Sequence, residues 1–185
     1  MIQIKLDAQI LGDKEMRQKL GRLDHKGLPK ALDRTLSATK RATGQSISTE
    51  VRKRYTLKAA KIKASTKRPI QTADSIKFFT TQKTHTLHSF RGRPSSKGYR
   101  ASVVKGQFFT VARGFTRKKI DPKGTPFIRV GKARTPIKAL QGPSLYKIIT
   151  KGQRSGPIKK AILQTGKNAF IKNLRRNILK AAEGY

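Results

Sequence analysis

The chain has no cysteine, two methionines and nine acidic residues among its 185. Without cysteine there is no disulfide, no thiolate metal site and no cysteine nucleophile. A cysteine-free chain fits a reducing compartment. The nine carboxylates are scattered and form no pair with a motif around it. No G-x-S-x-G or H-E-x-x-H sequence occurs. A nuclease or recombination factor would need a carboxylate cluster that is missing here, so the chain is expected to be no enzyme and to hold no cofactor or metal. His85 and His88 do not alter that expectation: on a strand, the i, i+3 spacing sends the two rings to opposite faces. Long apolar runs are also lacking. None approaches the ~18 residues of a membrane span, and residues 1–6 alternate like a strand where a signal peptide would need an apolar core. A soluble protein with no membrane partner, made in the cytoplasm, is expected. Hydrophobic residues make up 35%, below the usual ~45–50% that also counts glycine, so the core should be modest.

Positive charge is what the chain has in quantity. It carries 44 Lys and Arg, for a formal net charge of +35. Self-repulsion on that scale opposes a compact state unless an anionic partner offsets it. Residues 1–74 hold 18 basic and 7 acidic side chains, whereas residues 75–185 hold 26 and 2. The later part is therefore the expected polyanion-facing portion.

The patterning predicts one α+β domain: a mainly helical part over 1–68, a β-rich part with basic loops over 69–140, and a helical part over 141–185. A short amphipathic helix is expected over 13–23. Leu32, Leu36, Thr39, Thr43, Ile47, Val51 and Tyr55 recur every three or four residues and predict a helix of about six turns. Gly44 lies within it, where close packing against a neighbour would explain a glycine. Thr56 reads as the N-cap of a second short helix. Beyond Pro69, alternation predicts antiparallel strands near 76–80, 86–90, 100–104, 107–112 and 126–130. Ser144 precedes a short helix, and Gly156-Pro157 opens a terminal one expected to lie on the central sheet.

Two breaker-rich basic segments, 91–100 and 113–119, read as loops. Arg91, Arg93, Lys97 and Arg100 stand close enough to track a phosphate backbone, and Arg113, Arg117, Lys118 and Lys119 form a second cluster. Tyr99, Phe108, Phe109 and Phe115 interleave with these charges, but alternation assigns the phenylalanines to the core. Contact with nucleic acid should then be phosphate-directed, nonspecific and salt-dependent.

Ala31-Leu32-Asp33-Arg34-Thr35, opening a basic helix that ends in Arg52-Lys53-Arg54-Tyr55-Thr56-Leu57-Lys58, resembles the A-L-N-R-T region of the prophage minor tail protein Z family, the lambda-type tail completion proteins. About 70 residues past Leu57, a second stretch is similar to the family's R-x-G-x-x-R-x-P-I…L-x-G-P-S pattern. It comprises Arg129, Gly131, Arg134, Pro136 and Ile137, then Leu140, Gly142, Pro143 and Ser144. Asp33 stands where the family more often has Asn, and Thr135 where it has an apolar residue. Both stretches read as packing and turn signatures. The resemblance implies a structural virion protein at the head-proximal end of a long phage tail, assembled as a homo-oligomeric ring of six. Its implied partners are the tail terminator, the connector, the tape measure and duplex DNA. Six copies would carry a net charge of +210, six times +35, while duplex DNA crossing a ring ~50 Å tall offers only about 30 negative charges. Most of the charge would therefore face acidic neighbours or solvent. An RNA-binding or ribosomal-type protein is the alternative with the same composition.

Overall fold

The computed structural model describes residues 2–5, 27–71, 75–117, 119–132, 134–152 and 154–182. The fold is α+β, with one long helix near the start, antiparallel strands, and a long C-terminal helix. Among the described residues the strands form no single central sheet; they fall into four antiparallel sheets of two or three strands. Backbone contacts divide the chain into two compact units, each made of separated segments.

The first unit takes Met1–Ile47, Arg68–Phe79 and Pro157–Tyr185. Its sheet joins β1 (Ile2–Lys5), β2 (Ile70–Gln71) and β3 (Ser75–Phe78), with β3 central. Ile2 pairs with Phe78, and Ile4 with Ile76. The long helix α1 (Gly27–Arg54) supplies the buried stripe expected of its period, with Leu36, Thr39, Thr43 and Ile47 buried and Lys30, Arg34 and Arg41 exposed. Two of its buried hydroxyls bond back along the helix, Thr35 donating to the Ala31 carbonyl at 2.7 Å and Thr39 to the Thr35 carbonyl at 2.8 Å, whereas the buried Thr43 hydroxyl has no hydrogen-bond partner among the described residues. The C-terminal helix, here α4 (Ser155–Ala182), buries Ile158, Ile162, Phe170, Leu174 and Ile178. It is tied to α1 by Asn177 Nδ2, which donates to Thr35 Oγ1 at 3.0 Å. Gly44 differs from expectation. A Cβ there would meet nothing within 4 Å, so no close neighbour demands the glycine. The expected 13–23 helix lies outside the described residues.

The second unit takes Ser48–Lys67 and Thr80–Gly156. Helix α2 spans Ala59–Ser65, but Thr56 does not cap it; Lys58 holds the cap position without a side-chain bond. The Thr56 hydroxyl instead serves tertiary structure. It donates to the Ser102 carbonyl and accepts from the Arg91 amide at 3.2 Å, while the Thr56 amide donates to the Val103 carbonyl at 3.0 Å. The strand expected over 86–90 is short: β4 (His85–Thr86) passes at once into a 3-10 turn, Leu87–Ser89. The remaining sheets join β5 (Arg91–Ser95), β6 (Gly98–Ser102) and β7 (Phe109–Val111); β8 (Phe115–Thr116), β9 (Pro126–Arg129) and β10 (Ile137–Ala139); and β11 (Gln141–Gly142) with β4. Helix α3 (Leu145–Thr150) begins as expected, with the Ser144 hydroxyl accepting from the Lys147 amide at 3.2 Å. Tyr55, Leu57, Ile62, Leu87, Phe90, Tyr99, Leu145, Ile148 and Ile149 make this unit's core.

Candidate functional site

The segment 91–100 is a β-hairpin where the sequence suggests a loop. Arg91 pairs with Ser102, Arg93 with Arg100, Pro94 with Tyr99 and Ser95 with Gly98, which leaves Ser96 and Lys97 at the tip. The residues that read as breakers each have a place in it. Pro94 lies on the outer strand of its sheet, where a missing amide is tolerated. Gly92 leaves room for the Tyr99 ring, whose hydroxyl would stand 2.7 Å from an added Cβ. Gly98, at φ +128°, closes the turn in a conformation that L side chains rarely adopt.

Strand alternation then sorts this sheet into two faces. One carries Gly92, Tyr99 and Ala101, and Tyr99 is only 2% exposed. The other carries Arg91, Arg93, Arg100 and Thr110, the last opposite Arg100 on β7. Phe108 joins this second face just before β7. The guanidinium carbons of Arg100 and Arg91 lie 4.6 and 5.9 Å from its ring centroid. Such exposed cation–π contacts contribute about 0.5–1 kcal/mol each. Arg93 and Arg100 stand directly opposite, a like-charge arrangement that destabilises a strand pair. Arg91, Gly92, Arg93, Arg100 and Phe108 enclose a cavity of about 250 Å³.

The core assignment of two phenylalanines is overturned. Phe108 is 49% exposed and Phe109 43%, while Phe115 is half-buried. Adjacent residues on a strand point to opposite faces, so Phe108 and Phe109 cannot both point inward. In addition, β7 is an outer strand with no further strand beside it.

The other expected cations separate into groups. Lys97 and Arg113 line an open groove with Arg129 and Lys132, where the Arg129 guanidinium lies 5.7 Å from the Phe115 ring centroid. Arg113 holds φ +59°. Arg117 and Lys119 are exposed on a different turn, in which the Ile120 and Asp121 amides donate to the Arg117 carbonyl. Lys118 lies outside the described residues. Arg91 and Phe108 also border a wider groove of about 830 Å³ with Arg52, Lys53, Lys58 and Lys105. Sequence reasoning missed Lys105, Lys58 and surface-facing Phe108; the Lys105-Gly106 turn signal just before Phe108 pointed to a short outer strand.

Compared with known proteins, the chain matches no family model, no curated protein and no solved structure.

The motif residues divide by role. Ala31 and Thr35 are buried in the first unit, with Leu32 half-buried and Arg34 exposed. Arg129, Arg134 and Pro136 are exposed, and Gly131 sits at φ +107°. Ile137 and Pro143 are half-buried, and an added Cβ on Gly142 would stand 2.7 Å from Phe90. Among the described residues, no three of His, Asp and Glu gather as a metal site would need, and no described helix is long and apolar enough to cross a membrane. Asp121 has its pKa lowered, first by the Thr125 hydroxyl and then by the Lys123 amide at 2.8 Å. These bonds occupy the carboxylate within its own turn. The surface around Phe108 offers positive charge to anions and an exposed ring for stacking.

Proposed function

We propose that this chain is a non-enzymatic structural protein of a long-tailed phage virion, a tail completion component. In this reading its copies form a ring at the head-proximal end of the tail. The basic surface of its second unit is held by a polyanion, either the DNA end or an acidic face of the tail terminator, connector or tape measure. The observation that carries the polyanion part is the opposition of Arg93 and Arg100 on a solvent-facing strand pair, which folding alone disfavours and an anion between them would relieve. The tail assignment draws on the two motif stretches at 31–35 and 129–144. The buried Ala31 and Thr35 and the left-handed Gly131 suit their role as packing and turn signatures.

The experiment is electron microscopy of the purified protein, together with its retention on duplex DNA across salt. Rings are expected, with log affinity falling linearly in log salt by about 0.9 for each phosphate neutralised. A monomer whose DNA retention ignores salt would count against both halves. The exposed Phe108 beside Arg91 and Arg100 favours a second reading, an RNA-binding protein; co-purification with ribonuclease-sensitive RNA and no ring would select it.

A further inference from the structure

We infer that the outward face of the β5-β6-β7 sheet is a binding site for a single-stranded polynucleotide, with a phosphate seated between Arg93 and Arg100 and an unstacked base on Phe108. The inference rests on the polyanion reading above and narrows it from any anionic surface to one chemistry.

Three features of this face converge. Directly paired residues of an antiparallel sheet place their Cβ atoms about 4.5–5.5 Å apart, so Arg93 and Arg100 present two forked donor groups to one small anion. Guanidinium groups suit this geometry because their fixed N–H forks match phosphate oxygens. The second feature is Phe108. The residue is 49% exposed, so burial in the core does not explain its place. Its position beside Arg91 and Arg100 puts a π surface next to the phosphate seat, the combination by which proteins hold strands with accessible bases. The third is size. The cavity shared by these side chains is about 250 Å³, below the usual ~300–1,000 Å³ of small-molecule pockets, and it suits one residue of a chain that continues outside it. The wider groove along Arg52, Lys53, Lys58 and Lys105 borders the same Phe108 and offers further phosphate contacts.

A duplex satisfies only part of this arrangement, because its bases are stacked on one another and unavailable to Phe108. An acidic polypeptide likewise brings carboxylates to the arginines but no base to the ring. Single-stranded DNA and RNA share the chemistry in question, and the test separates them.

The chain has no tryptophan, so Phe108→Trp places a lone indole reporter in the site. Its emission should be quenched by oligo-dT or oligo-rU, with the stronger of the two identifying the strand, and not by a duplex of equal length or by poly-Glu. In parallel, Phe108→Ala should weaken single-strand binding about 5- to 150-fold and leave its salt slope and duplex binding unchanged, while Phe108→Tyr retains the affinity. Arg93→Ala with Arg100→Ala should weaken both forms and reduce the single-strand salt slope by about 0.7, the share of the one phosphate they hold. Circular dichroism of each variant checks folding. Unchanged single-strand affinity in Phe108→Ala, or equal quenching by poly-Glu, overturns the inference. Because duplex retention and ring formation are read separately, that failure leaves the proposed function standing. Loss of all salt-dependent polyanion binding in the wild type overturns both.

Discussion

His85 ties three parts of the second unit together: its Nε2 lies 3.2 Å from the Ser65 hydroxyl, its ring meets Phe90 edge-on at 6.3 Å, and Lys61 lies within electrostatic reach. Burial, and then the Lys61 charge, lower its pKa. A histidine whose folded pKa is depressed resists protonation, so the folded state is undiminished above about pH 6.5 and loses stability as pH falls from there through the folded pKa. His88 acts in the same sense, through burial and Lys58, with Asp121 opposing. The expected outcome is a thermal midpoint that drops as pH falls below about 6.5, and a shallower drop in His85→Gln. Equal slopes in the two proteins would remove His85 as the cause. The sequence reading set both histidines on one strand, whereas only His85 lies on β4 and His88 sits in the 3-10 turn that follows. Their electrostatic surroundings were not legible, because Lys61 and Ser65 reach His85 only through the packing of α2.

At the level of the element, the hairpin β5–β6 depends on small residues at close approaches. An added methyl at Gly98 would run into the Val111 carbonyl, a backbone atom that cannot swing aside, and φ +128° is strained for alanine. At Gly92 the obstacle is the outer edge of the Tyr99 ring. Both Gly98→Ala and Gly92→Ala should therefore destabilise the protein, each by about 1–3 kcal/mol, with Gly98→Ala the worse. Chemical denaturation of the two variants checks the order; a neutral Gly98→Ala would contradict this account of the turn. The same residues explain why a hairpin reads as a loop in the sequence. Gly92, Pro94 and Gly98 are breakers by local rule, and only the cross-strand partner Tyr99 and an outer-strand position make them suitable. Helix α1 was legible for the opposite reason: its period of three to four repeats over 28 residues, so each turn repeats the signal. The strand expected over 107–112 is present in shorter form as β7, with Phe108 just before it, but alternation does not reveal which face lacks a cover.

At the scale of the whole molecule, charge dominates. Even if each of the nine acids paired with one base, 35 cations would remain. Exposed pairs such as Lys53–Glu50 contribute at most about 1 kcal/mol. Raising sodium chloride from ~20 to ~300 mM should screen the repulsion and raise the thermal midpoint, by about 2–4 °C for each kcal/mol relieved. A midpoint that stays flat or falls would mean that the cations are already offset within the chain. This surplus was fully legible from composition, and so was its bias toward the second half. Which cations share a face was not, since that is fixed by strand register.

The outer border of the hairpin has one more consequence. Strand β5 ends its sheet, and Pro94, preceded by Arg91 and Arg93, leaves that border with a missing amide and two positive charges. Another copy attempting to add its own β5 alongside would find an interrupted ladder and set arginine against arginine. A seam in which two copies join β5 to β5 is therefore disfavoured by the same residues that make the hairpin basic.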